Sequence, residues 1–145
     1  MYGAALSAYK KTSLANVNDQ AQAVKLLFDG ALKELHLAKD SLDAPLDLGH
    51  HIGKAIAIVG ELQAGLNFEK GGEAAEFLYS LYAAIIRELS KVSGPEDKNI
   101  LHLSIRYLTE LKKIWEEQVL GVQAGEKPSL AKEKGKVLAN IEAHI

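Results

Sequence analysis

Cysteine is absent from the chain. Its absence removes disulfide frameworks, thiolate nucleophiles and thiolate–zinc sites together, and accords with a reducing compartment. Proline occurs only three times, and no run of Val, Ile and Thr reads as a strand, so long stretches are free to be helical. Charge of one sign is also lacking. A formal net charge of −2 and a pI near 6.2 give no pull toward nucleic acid or an anionic membrane. Basic residues stand at most in pairs, as at Lys10-Lys11 and Lys112-Lys113, so no stripe tracks phosphates. Long apolar runs are missing as well. The best stretch, Ile52 to Leu66, carries Lys54 and Glu61 and is short for a bilayer span. The first residues, MYGAALSAYKK, lack the basic-then-apolar order of a secretory signal. The expectation is a cytoplasmic protein with no nucleic-acid partner and no direct membrane insertion.

Helical periodicity fills the space left by these absences. Apolar residues at Val24, Leu27, Phe28, Ala31, Leu32, Leu35, Ala38 and Leu42 step by threes and fours and make one amphipathic stripe. Asn16 to Asp19 offers capping side chains before it, and Asp43-Ala44-Pro45 ends it. A second stripe runs through Leu48, Ile52, Ala55, Ile56, Val59, Leu62 and Leu66, with a break expected at Gly71-Gly72. The third reads Ala74, Phe77, Leu78, Leu81, Tyr82, Ile85, Leu89 and Val92, and Ser93-Gly94-Pro95 follows as a stop. The fourth reads Ile100, Leu101, Ser104, Tyr107, Leu108, Leu111, Ile114, Trp115 and Gln118. Four such helices joined by short loops predict an all-α fold, an antiparallel up-down four-helix bundle over residues 1–120, with residues 1–17 as a short N-terminal segment. Residues 121–145 read as a polar linker followed by a short helix from Ser129, with a weak stripe of Leu130, Val137, Leu138, Ile141 and Ile145. That tail either docks on the bundle or frays.

Catalytic and metal patterns fail one by one. A di-iron bundle needs Glu three residues before an inward His. Here Lys33, Asp47, Leu48, Asn99 and Ile141 occupy that position before the five histidines. His51-Ile52-Gly53-Lys54 resembles the core of a histidine phosphotransfer domain, where a lysine three residues after the histidine neutralises the phosphoryl group. That spacing arises often by chance, and His51 lies near its helix start. No phosphate loop, nucleophile elbow or spaced carboxylate pair occurs. No enzyme activity, metal or cofactor is expected.

One helix is unusual on its outer side. Opposite its core stripe, the second helix carries Gly53, Ala57, Gly60 and Ala64, spaced four, three and four, where a solvated helix carries charge. Helix-interior glycine costs about 0.5–1 kcal/mol relative to alanine, and close approach of another backbone is a compensation. The third helix adds Tyr79, Ala83 and Ile86 on a second face. Two adjacent apolar second faces imply a cover. The cover is either the chain's own terminal segments, a second copy in a homodimer, or an amphipathic segment of another protein.

Several segments together resemble the FliS family of flagellar export chaperones. They are Ala8-Tyr9; Leu26-Leu27-Phe28-Asp29-Gly30-Ala31-Leu32; Lys54-Ala55 with Ile58-Val59, Glu61-Leu62 and Leu66; Phe68-Glu69-Lys70-Gly71-Gly72-Glu73 with Ala75, Leu78, Leu81 and Tyr82; and Glu110-Leu111 with Trp115. The match runs in order over about residues 8–120. It departs at Val17-Asn18-Asp19-Gln20, where the family often has proline followed by glutamate, and it does not reach residues 121–145. The resemblance implies a helical bundle that binds the disordered C-terminal segment of flagellin in the bacterial cytosol, prevents premature polymerisation and delivers the subunit to the flagellar type III export gate. It also implies that the N-terminal segment covers part of the groove when flagellin is absent, a role that falls to Tyr9. On this reading the groove is Gly53, Ala57, Gly60, Ala64, Tyr79, Ala83 and Ile86. A second reading has the tail from Ser129 occupy that groove, in its own or a neighbouring chain, as a built-in competitor, beside the simpler outcome of a frayed or peripherally packed tail. A phosphotransfer domain and a self-associating structural bundle are the competing functions.

Overall fold

The structure is a computed structural model and describes residues 17–117. These form four α-helices: α1 (Val17–Asp40), α2 (Pro45–Ala64), α3 (Phe68–Leu89) and α4 (Lys98–Trp115). Among the described residues there is no strand, as the sequence leads one to expect. Val17, assigned from the sequence to the N-terminal segment, already opens α1. The described residues include neither Tyr9 nor the tail 121–145.

The first junction follows from its residues. Ser41 and Ala44 turn the chain through backbone hydrogen bonds to Ala38 and Ser41, and Pro45 opens α2 at a position where its missing N–H costs nothing. The second junction differs from expectation. The chain turns at Gly65, not at Gly71-Gly72, because Asn67 caps a new helix by accepting a hydrogen bond from Lys70 N at 3.0 Å. Gly72 then lies inside α3 as a kink with φ 51° and ψ −126°, a conformation that favours glycine. At the third junction Asp97 Oδ2 accepts from Ser93 N at 2.8 Å and from Ser93 Oγ at 3.2 Å. That clamp holds a single 3₁₀ turn, Pro95–Asp97, ahead of α4.

The inward stripes meet in one core. Leu35, Leu48, Ile58, Val59, Leu89, Leu101 and Leu108 are almost wholly buried, each contributing about 1.5–3 kcal/mol on removal from water. α1 packs most extensively on α2 and also on α4, α2 packs on α3, and α3 meets α4 only loosely. Paired contacts run in opposite senses along neighbouring helices. Glu34 of α1 meets His51 of α2, while Gly30, a turn earlier, faces Ile58. Lys112 of α4 pairs with Asp29, and Trp115 Nε1 donates to Ala21 O at 3.2 Å. These pairings run α1 antiparallel to α2 and to α4.

Candidate functional site

α2 divides cleanly into two sides. Leu48, Ile52, Ala55, Ile58, Val59 and Leu62 are buried. On the other side Gly53, Ala57 and Ala64 are exposed and Gly60 is half-buried. A methyl group built on Gly53 or Gly60 would meet nothing within 4 Å. Gly72 is the single described glycine with positive φ, so the α2 glycines are not required by backbone conformation. Among the described residues nothing covers this row. The row also begins a turn earlier than the sequence reading placed it, at Gly49, which is exposed and equally open. Its spacing of four from Gly53 was the available signal.

α3 lies beside the row. Gln63 Nε2 donates to Tyr79 O at 3.1 Å, joining the end of α2 to the middle of α3. Tyr79 is 47% exposed. Its ring stands 5.8 Å from that of Phe68 at a tilted angle, and Phe68 is 48% exposed. The sequence reading missed Phe68 as a surface aromatic, because it expected the second helix to run on to a break at Gly71-Gly72. Ala83 and Ile86 are half-buried. Their helix packs against α2. The structure therefore brings the α2 and α3 candidates onto adjoining helices, with Phe68 and Tyr79 at one end. Tyr9 lies outside the described residues.

Electrostatics keeps the row free of charge. Lys54, the cation within this stretch of α2, turns toward α1, where its Nζ is 3.9 Å from Glu34 Oε1. Glu34 is buried, and its other oxygen lies 3.0 Å from His51 Nδ1. A carboxylate in the interior must be paired, and the His51/Lys54 spacing that resembled a phosphotransfer core supplies that pair. Its role is an interhelix clamp, with negative charge already beside the imidazole where a phosphoryl group would be repelled. Among the described residues no group of three or more His, Cys, Asp or Glu could hold a metal ion. No described helix is long and apolar enough to cross a membrane.

The chain is 32% identical over 117 residues to the flagellar secretion chaperone FliSB of Pseudomonas aeruginosa, covering 77% of this chain and 93% of that protein. It is 32% identical over 124 residues to the flagellar secretion chaperone FliS of Salmonella typhimurium, covering 81% and 92%. The corresponding Vibrio cholerae chaperone is 29% identical over 118 residues, covering 77% and 86%. No solved structure matches. The family described as flagellar protein FliS matches residues 2–121, the whole bundle and most of what precedes it, and so the chain belongs to the FliS family.

Proposed function

We propose that this protein is a flagellar export chaperone that binds the disordered C-terminal segment of flagellin in the cytosol, blocks its premature polymerisation and delivers it to the type III export gate. The observation that carries the reading is the open row of Gly53, Ala57, Gly60 and Ala64 beside Tyr79, Ala83 and Ile86, in a chain whose relatives are named flagellar secretion chaperones. A disordered client loses chain entropy when it orders, typically at a cost of about 2–5 kcal/mol or more. It therefore needs a long apolar surface without charges to desolvate. Small side chains allow a client helix to approach the α2 backbone, while Phe68 and Tyr79 provide aromatic anchors at one end. Tyr9 and its neighbours cover part of this surface in the free protein, and displacing them lowers the apparent affinity, which favours release at the gate. No nucleotide or cofactor enters the cycle.

The test is Ala57→Glu and, separately, Gly60→Trp, with calorimetry against a flagellin C-terminal peptide. Binding is expected to be lost while circular dichroism shows unchanged helical content. A folded variant with unchanged affinity removes these positions from the client site. Sedimentation with and without the peptide distinguishes client binding from self-association on the same face.

A further inference from the structure

The loosest seam of the bundle is on the far side of α3 from the row on α2. α3 and α4 touch little, and between them runs a groove of about 480 Å³. Leu81 and Ile85 form its floor, Leu103 and Tyr107 its α4 wall, and the small residues Ala84 and Ser104 leave it recessed. Leu103 is 38% exposed. The other pairs of sequential helices pack more extensively, so among the described residues this groove is the open seam.

The chain contains a segment of matching character. The family match ends at residue 121, and the sequence continues with a polar linker and then the stripe Leu130, Val137, Leu138, Ile141 and Ile145. We propose that residues 129–145 dock into the α3–α4 groove of the same chain as a fifth helix, antiparallel to α4. This assignment does not rest on the flagellin reading.

Reach, length and charge support it. From Glu117 back to Tyr107 is roughly 15 Å along a helix, and a linker of residues 118–128 spans up to about 36 Å. A helix over 129–145 is roughly 25 Å long, enough to cover the groove from Leu81 to Lys91. Running in that direction, Lys132, Lys134 and Lys136 fall toward the end of α4 that carries Glu110, which is 3.8 Å from Arg106. Glu142 falls at the opposite end, where Arg87 lines the rim with the Lys91–Glu88 ion pair. Leu138 and Ile141 then oppose the recess over Ala84 and Ser104, large side chains against small ones.

The cysteine-free chain makes the test direct. Leu103→Cys is combined with Leu138→Cys in the full-length protein, and Gly53→Cys with Leu138→Cys serves as the comparison. Mild oxidation at low concentration is followed by non-reducing electrophoresis and peptide mass spectrometry. The groove pair is expected to form an intrachain disulfide at least tenfold faster than the α2 pair. Equal rates, no intrachain product, or a disulfide-linked dimer alone would overturn the proposal, the last by seating a second copy in the groove. As an independent measurement, trypsin is expected to cut after Lys132, Lys134 and Lys136 more slowly in the intact protein than in an Ala84→Glu variant. Equal cleavage rates also refute docking.

Discussion

Replacing Gly53 and Gly60 by alanine separates stability from binding. Both lie in the interior of α2, neither has positive φ, and a methyl group at either meets no atom within 4 Å. Alanine should therefore stabilise the helix by the full propensity difference, about 0.5–1 kcal/mol per site. The two sites are seven residues apart, roughly 10 Å along the axis, so their effects should add to about 1–2 kcal/mol. With a urea slope of about 2 kcal/mol per molar, the denaturation midpoint read by circular dichroism should rise by roughly 0.5–1 M. The same methyl groups stand where the client backbone is proposed to approach. Calorimetry with a flagellin C-terminal peptide should show at least tenfold weaker binding, about 1.4 kcal/mol. Higher stability with unchanged affinity would remove the row from the client site. A fall in stability would mean that the proposed Tyr9 cover fills these two positions in the free protein, and would refute the reasoning from open space at Gly53 and Gly60.

Other substitutions probe the scaffold. Gly72→Ala should destabilise by about 1–3 kcal/mol through its backbone angles alone, since no atom lies near the added methyl; an unchanged urea midpoint would contradict this. His51→Ala leaves the buried Glu34 facing Lys54 at 3.9 Å and should cost about 1–3 kcal/mol. Adding Glu34→Met should recover most of that loss in the same urea titration. Leu108→Ala empties a fully buried site and should cost about 2–5 kcal/mol. Alkaline titration has a definite sign. Burial raises Tyr82 above its ordinary value of 10.0, and the hydrogen bond to Asp29 raises Lys112 above 10.5. The folded chain keeps these protons after the unfolded chain has released them, so stability should fall as the pH climbs above about 10. Tyr82→Phe should shift the onset of that fall upward, read as alkaline unfolding by circular dichroism.

The four helices were legible because each stripe repeats at three and four residues, and burial of Leu27, Leu35, Leu48, Leu62, Leu81, Leu101 and Leu108 follows that pattern. Ile58 escaped it. Ile56, Ile58 and Val59 crowd into four positions, so periodicity alone did not reveal that Ile58 is buried and Ile56 only partly so. The paired glycines at 71 and 72 signalled a helix end, but the cap at Asn67 begins α3 upstream and leaves Gly72 as a kink. Local spacing also could not disclose the Glu34–His51 contact, which joins residues on two helices. Nor could it disclose the gap between α3 and α4, which depends on how the whole bundle closes. The small-residue row was readable because it breaks the usual alternation of apolar and charged faces. Its extension to Gly49 was available in the same spacing of four, whereas Phe68 needed coordinates.

Trp115 is the chain's single tryptophan, half-buried at the seam where the end of α4 meets the start of α1. Its indole is therefore a built-in optical reporter of one place in the molecule. Loosening of the seam would hydrate the ring and shift its emission to the red, while Ala21, Phe28 and Tyr82 beside the same small cleft hold it in an apolar setting when closed. Since residue 17 enters the bundle and residue 117 leaves it on either side of this contact, a single fluorescence trace can time events at the bundle's entrance without any label.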